Sequence, residues 1–381
     1  MNSQLIADLI KLRKKLHRHA EPSGAEDKTS QIIVEFLSRY APAKIVTGLG
    51  GAGLAAVYRF DKPGPTLMFR AELDALPIRE DNRFAYRSRA VNVSHKCGHD
   101  GHMAIVSGLA SMLHSNPVER GRVILLYQPA EETGQGAVGV IDSDSFQSLA
   151  PDYVFALHNI PGEQTGTVLL KEGIFSFAST GMRITLEGQT AHASQPENGI
   201  SPTAAMCEII GHLDAMPRQR DDLDADALVT IVYARLGEKT FGTAPGYAEI
   251  MVTLRCRTDT ILQEMKRHAI QIVTAAARAG RLEADYSWHD HFRACNNHPL
   301  AASIVTRAAE ASGQQVRRLD KPFRWSEDFG WFTARYPGAI FALGAGKGTL
   351  PLHSAAYDFP DTLIPIGLSI LWEIINQELN R

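Results

Sequence analysis

Long apolar runs are absent from these 381 residues. Runs such as Val123-Ile124-Leu125-Leu126-Tyr127 fall far short of the roughly 20 apolar residues that a membrane-spanning helix needs. Excess positive charge is absent too. Lys and Arg number 39 against 42 Asp and Glu, a formal net charge of −3, which argues against a nucleic-acid or anionic-membrane partner. Cysteine is sparse, with four residues scattered at positions 97, 207, 256 and 295. No disulfide framework is expected, and a reducing cytoplasm is the expected setting. The first residues, Met1-Asn2-Ser3-Gln4-Leu5-Ile6-Ala7-Asp8, show no charged-then-apolar leader pattern. Low-complexity tracts and solenoid-type repeats are missing as well. A hydrophobic content of 44% is that of a folded globular chain, and the length suggests two or three domains.

The apolar spacing lays out an α/β chain interrupted by a second domain. Gln4 to His19 reads as an amphipathic helix with Leu5, Leu9, Leu12 and Leu16 on one face. His17 and His19, near its end, read as surface or capping residues. A second helix is expected from Ser23 to Tyr40. Strand-like runs follow at Leu54–Phe60 and Thr66–Ala71, then a helix from about Gly101 to His114 and a buried strand at Val123–Tyr127. Tyr153 to Leu157 repeats the strand plan. From residue 179 to 289 the rhythm changes to βαββαβ, with strands at Met182–Leu186, Leu228–Leu236, Glu249–Arg257 and Glu283–Trp288 and helices at Ser201–Ala215 and Ile261–Ala279. That order predicts a ferredoxin-like α+β domain. It divides a catalytic domain with a central mixed sheet into residues 1–178 and 290–381. The second part carries a helix at His298–Ser312, a strand at Ala339–Leu343 and a last helix at Leu363–Leu379.

The apolar runs end in ligand-type side chains. Cys97-Gly98-His99-Asp100-Gly101-His102 packs a thiol, two imidazoles and a carboxylate into six residues, with glycines that let the backbone turn tightly. Thr66–Ala71 leads into Glu72 and Asp74, Val123–Tyr127 into Glu131-Glu132, and Tyr153–Leu157 into His158. In an α/β sheet those carboxyl ends are where ligands bind. His353 lies in the loop before the last helix. Cys97, His99, Glu132, His158 and His353 offer more donors than one tetrahedral zinc takes, and suit two adjacent cations sharing a bridging group. Glu131 is then left without a ligand role. A carboxylate beside the metals is placed to take a proton from an activated water and hand it to a leaving amine. A structural metal site and a redox thiol site remain the other readings of these groups.

The sequence resembles the co-catalytic metallopeptidase family of aminoacylases and glutamate carboxypeptidases, and within it the amidohydrolases: hippurate, aminobenzoyl-glutamate and auxin-conjugate hydrolases. The resemblance rests on Leu16-His17-Arg18-His19-Ala20-Glu21, Phe69-Arg70-Ala71-Glu72-Leu73-Asp74-Ala75-Leu76-Pro77-Ile78, His95-Lys96-Cys97-Gly98-His99-Asp100-Gly101-His102 and Gln128-Pro129-Ala130-Glu131-Glu132. It continues through Ala156-Leu157-His158-Asn159, Gly188-Gln189-Thr190-Ala191-His192-Ala193, Ser326-Glu327-Asp328-Phe329 and Leu352-His353-Ser354. It implies the same five metal ligands, two divalent ions drawn from Zn, Mn, Co and Ni, and Glu131 as general acid/base. It further implies that Asp74 orients a ligand imidazole. His192 on a lid domain would reach the substrate carbonyl or its oxyanion, and Arg255 would bind the substrate carboxylate. A homodimer through the lid is also implied. Three positions depart from the pattern: Glu72 stands where aspartate is more usual, Ala20 where proline is usual, and Gly242-Thr243-Ala244-Pro245-Gly246 replaces an asparagine-containing turn.

The expected activity is therefore metal-dependent hydrolysis of the amide in an N-acyl or N-aroyl amino acid or a small dipeptide-like compound. The rival enzyme is an aminopeptidase or carboxypeptidase acting on dipeptides, distinguished by activity on dipeptides and none on acylated amino acids. The rival non-enzyme is a small-molecule binding module, distinguished by metal loading without turnover.

Overall fold

The computed structural model describes residues 2–219 and 226–380. The chain divides into two compact units, Met1–Phe175 with Cys295–Pro322 and Glu327–Arg381, and Ser176–Ala294 with Phe323–Ser326.

The first unit is built on an eight-stranded sheet. Its strands lie in the order Lys44–Leu49, Gly53–Arg59, Arg120–Gln128, Lys62–Glu72, Tyr153–Ile160, Gly338–Gly344, Val168–Leu170 and Val316–Arg318. The four middle strands, from Arg120–Gln128 to Gly338–Gly344, run parallel. Gly53–Arg59 pairs antiparallel at one side and Val168–Leu170 at the other, so the sheet is mixed. The middle strands are buried on both faces, which is why Leu67-Met68-Phe69 and Val123 to Tyr127 are continuously apolar rather than alternating. The helices Ser3–Arg18, His99–Ser115, Pro299–Ala311 and Leu363–Leu379 belong to this unit, and Leu363–Leu379 packs on the other three. The first helix starts at Asn2, whose side chain accepts the Gln4 N–H at 2.9 Å. It buries Leu9, Leu12 and Leu16, each worth about 1.5–3 kcal/mol.

Several elements differ from the sequence expectation. The helix expected from Ser23 to Tyr40 spans Asp27–Leu37 and closes in a 3-10 turn, Ser38–Tyr40. Residues 23–26 form a turn instead, because Gly24 takes φ +82° and the Ser23 and Glu26 side chains bond to other loops. Lys44–Leu49, Val168–Leu170 and Val316–Arg318 are short or half-exposed strands without a long apolar run.

His17 is the clearest correction. It is fully buried, not at the surface. One ring nitrogen lies 2.9 Å from Asp100 and the other 2.9 Å from Glu80. Two carboxylate acceptors require both nitrogens to donate, so the ring is an imidazolium. Burial opposes that charge, but Asp100 and Glu80 outweigh it and raise the pKa from 6.5 to about 9. Arg13 reaches the same Asp100, and Lys96 the same Glu80. The folded pKa lies above the unfolded one. The His17 contribution is thus complete below pH 6.5 and lost as pH rises through about 9. Urea unfolding across that window should show stability falling in the parent protein and a shallower fall in His17→Gln. Identical pH profiles would contradict the pairing.

The second unit carries a four-stranded antiparallel sheet in the order Leu228–Leu236, Tyr247–Cys256, Ala178–Glu187, Glu283–Phe292. Met182, Ile184 and Leu186 alternate with more exposed neighbours, as do Ala248, Ile250, Val252 and Leu254. Helices Thr203–Gln219 and Asp259–Ala279 pack on each other and on the sheet. This is the expected ferredoxin-like arrangement. A separate two-stranded ribbon pairs Ala191–His192 with Thr243–Ala244. Among the described residues no helix is long and apolar enough to cross a membrane.

Candidate metal centre

The parallel strands of the first unit bring the site together at their carboxyl ends. Asp74 follows Lys62–Glu72, Glu131 and Glu132 follow Arg120–Gln128, His158 lies near the end of Tyr153–Ile160, and His353 follows Gly338–Gly344. Cys97 and His99 enter from the start of His99–Ser115. Gly98 between them takes φ +101°, and a Cβ there would collide with the Asn159 side chain. No other residue fits that joint. His353 also holds a left-handed backbone, φ +65°, with its N–H on the Lys96 carbonyl at 2.8 Å. A non-glycine residue in that region is strained, and such strain collects at functional sites.

The side chains converge. Cys97 Sγ lies 3.4 Å from His158 Nε2. His99 Nε2 lies 3.8 Å from Glu132 and 3.9 Å from Glu131. Potential ligand atoms of Cys97, His99 and His158 fall within 4.8 Å of one another, and so do those of Cys97, Glu132 and His353. Glu132 thus shares a group with the thiol and His353. Glu131 groups instead with Glu327 and Asp328, as well as with His99 and Glu132.

Both buried imidazoles are fixed in the tautomer a ligand needs. His158 Nδ1 donates to the Asn159 carbonyl at 2.8 Å and His99 Nδ1 to the Asp74 carbonyl at 2.9 Å. In the neutral ring each Nε2 then carries a lone pair. Burial opposes charge on His99, but Cys97 and Asp74 outweigh it and hold its pKa above the usual value, so a cation there takes the place of a proton. Among the described residues, His99 Nε2 and Glu132 Oε1 are buried with no hydrogen-bond partner. Buried polar atoms are normally satisfied, so two unsatisfied ones 3.8 Å apart, beside a thiol and a second imidazole, fit a divalent cation. The electrostatics agree. Burial pushes the Cys97 thiol up, with Glu132 adding to the effect. Burial also lifts Glu132 to about 7. Glu131 is raised well above the carboxylate range by burial and by repulsion from Glu327, Glu132 and Asp328. Burial lowers His158 to about 3, keeping it neutral. A cation among these atoms favours the ionised thiol and carboxylates.

Asp74 supports the centre through several contacts. Its Oδ2 accepts from Ser23 Oγ at 2.7 Å and from the Glu132 N–H at 3.0 Å, while its carbonyl holds His99. A second support had no role assigned from sequence. Arg70 is fully buried and donates to Gln128, Glu327, Asp328 and Glu72. Glu72 in turn accepts from His102, whose other nitrogen meets Asn159 Oδ1 at 2.7 Å. The available signal was a lone arginine inside the apolar run Leu67-Met68-Phe69-Arg70-Ala71. A buried guanidinium demands acidic partners.

The remaining two predicted residues belong to the second unit. His192 is exposed, on the Ala191–His192 ribbon strand, with Nδ1 2.7 Å from Ser194 Oγ. It pairs with Thr243, so the turn that departs from the family pattern is the backbone partner of this histidine. Arg255 is half-buried. Its Nη1 donates to Ser326 Oγ at 3.2 Å and to the Arg324 carbonyl at 3.4 Å. Among the described residues it makes no ion pair, and burial alone lowers its pKa.

Comparison with known proteins places these features in a family. Residues 68–377 match the profile described as Peptidase family M20/M25/M40. The chain is 30% identical to an N-acetyl-L-cysteine deacetylase of Bacillus subtilis (strain 168), over 97% of this chain and 88% of that protein. It is 27% identical to an N-acetyldiaminopimelate deacetylase of Priestia megaterium, over 98% of this chain and 99% of that one. Among solved structures, a dinuclear metal-binding peptidase of the M20 family from Bacillus subtilis superposes with a TM-score of 0.82 at 25% identity, covering 99% of each chain.

Proposed function

We propose a function from one premise: the chain belongs to peptidase family M20/M25/M40. It is a metal-dependent amidohydrolase that cleaves the amide of N-acyl amino acids, releasing a carboxylic acid and a free amino acid. The observation that carries this reading is the pair of partnerless buried atoms, His99 Nε2 and Glu132 Oε1, among Cys97, His158 and His353. The two deacetylase relatives point to N-acetyl amino acids as the substrates to test first.

Two divalent cations would be held by Cys97, His99, Glu132, His158 and His353. A mixed S, N and O set admits Zn, Mn, Co or Ni. When bound, the cations supply Lewis acidity, which acidifies water and polarises the scissile carbonyl. Asp74 holds His99 with its lone pair turned inward. Glu131 takes a proton from the attacking water and delivers it to the amide nitrogen. The C–N bond then breaks to give a free amine as the new C–O bond completes the acid. Its neighbours Glu327 and Asp328 are acidic, and Asp328 N–H lies 3.4 Å from Glu131 Oε1. His192 and Arg255 are the proposed substrate contacts of the second unit. Their support is the exposure of the one and, among the described residues, the absence of an ion-pair partner for the other. A guanidinium fork matches a carboxylate.

The proposed setting is the cytoplasm and the proposed assembly a homodimer through the second unit. Leu228–Leu236 is an edge strand there, with Val232, Tyr233 and Leu236 exposed. Unpaired edges of that kind template strand addition.

Ninhydrin detection of free amino acid tests the reading. N-acetyl, N-benzoyl and N-indoleacetyl amino acids and dipeptides are each incubated with Mn²⁺, with Zn²⁺ and with chelator. Metal-dependent release from an acylated amino acid is expected. Release only from dipeptides would replace the reading with a peptidase. Silence in metal-loaded protein would favour a binding module.

A further inference from the structure

Glu26 has no part in the chemistry above, yet it is fully buried. It stands at the N-cap of Asp27–Leu37 and makes no side-chain capping hydrogen bond. Its carboxylate works elsewhere. Oε1 accepts the Gly24 N–H at 3.0 Å and the Ala130 N–H at 2.7 Å. Oε2 has no hydrogen-bond partner among the described residues. Burying a carboxylate is costly, and here burial holds its pKa above the usual value. An ordinary serine or aspartate cap would finish the helix at lower cost.

Ala130 accounts for the exception. It takes φ +49°, a left-handed conformation that an L-residue rarely adopts without external support. Its carbonyl is also held, by the Gly136 N–H at 3.1 Å and Thr133 Oγ1 at 3.3 Å. The residues that follow are Glu131 and Glu132. The same turn reaches the other side of the centre through Ser23, which donates to Asp74. The two loops that carry the acids are therefore tied to one short segment, residues 23–26.

We infer that Glu26 is a positioning residue: its carboxylate holds the Ala130 peptide in the left-handed conformation that orients Glu131. The inference rests on the proposed role of Glu131. It predicts a requirement for an acceptor at position 26, not for a charge, and a requirement that disappears once residue 130 adopts positive φ freely.

The experiment measures kcat, KM and bound metal for four proteins, on the N-acetyl amino acid that the parent turns over fastest. Glu26→Met removes the acceptor at similar volume. It should lower kcat by about 10- to 100-fold, the scale of a small misplacement of a reacting group, with KM and metal content unchanged. Glu26→Gln keeps an acceptor and should stay within about two-fold of the parent, since a neutral carbonyl oxygen still takes the Ala130 N–H. Ala130→Gly combined with Glu26→Met should recover most of the lost kcat, because glycine takes positive φ without penalty. A Glu26→Met protein with the parent's kcat overturns the inference, as does an equal loss in the Ala130→Gly background. Should Glu26→Met fail to fold, the double variant decides alone. A folded, active double variant supports the inference, and an inactive or unfolded one overturns it. A parent inactive on every acylated amino acid fails the proposed function and takes this inference with it. An active parent indifferent to Glu26 fails this inference only.

Discussion

Glu131→Gln should lose kcat by about 10³-fold, within the range for removing a general acid/base, while keeping both metals. The substitution is nearly isosteric, so the turn from Ala130 to Gly136 survives with its backbone bonds. What is lost is the capacity to take a proton from water and return it to nitrogen. KM should change little, because the same contacts bind the ground state. Glu131 is only 6% exposed, and its carboxylate neighbours are already engaged, Glu327 and Asp328 on Arg70 and Glu132 as a proposed metal ligand, so none is free to replace it at the same point. Steady-state kinetics with metal analysis on the same sample checks this. A Glu131→Gln protein with near-parental kcat would remove Glu131 from the mechanism.

Cys97→Ala should lose metal as well as activity. Cys97 belongs to two of the clusters that could hold an ion, one with His99 and His158 and one with Glu132 and His353. Deleting the thiol strips a donor from both. Metal content by mass spectrometry should fall below that of the parent. The stabilisation that added Mn²⁺ or Zn²⁺ gives the parent should shrink in step. For a ligand at 100 times its Kd that stabilisation is about 2.7 kcal/mol. Cys97→Ala retaining full metal and full turnover would contradict the ligand set. Together the two variants separate a group that holds metal from one that moves protons.

Much of the fold was legible because its apolar runs are unambiguous. Val123 to Tyr127 and Ala339 to Leu343 are continuously apolar and too short for a helix, which favours buried strands, and the βαββαβ alternation is clear from Ala178 to Phe292. The strand ends were legible for the same reason, since a ligand-type side chain after an apolar run stands out. The turn at residues 23–26 was not. Pro22-Ser23-Gly24 marks a break, but how far it runs into the helix is set by Gly24 at φ +82° and by the tertiary bonds of Ser23 to Asp74 and Glu26 to Ala130. His17 was misread because a histidine on a helix flanked by Lys15 and Arg18 has the spacing of a surface residue. Its acid partners, Glu80 and Asp100, lie more than sixty residues away in sequence. The pairing of Arg70 with its carboxylates is not legible locally either, since Glu327 and Asp328 lie some 257 residues away. Local periodicity reports which face is buried. It is silent on charges that are buried because distant residues neutralise them.

The most direct test of the central claim is a titration of turnover against metal equivalents. Protein stripped with chelator receives Mn²⁺ or Zn²⁺ stepwise, and release of amino acid from an N-acetyl amino acid is followed at each step. The account predicts no turnover without metal and a plateau by two equivalents per chain. Turnover that survives complete removal of metal, or a chain that binds two equivalents and hydrolyses no acylated amino acid, would contradict it.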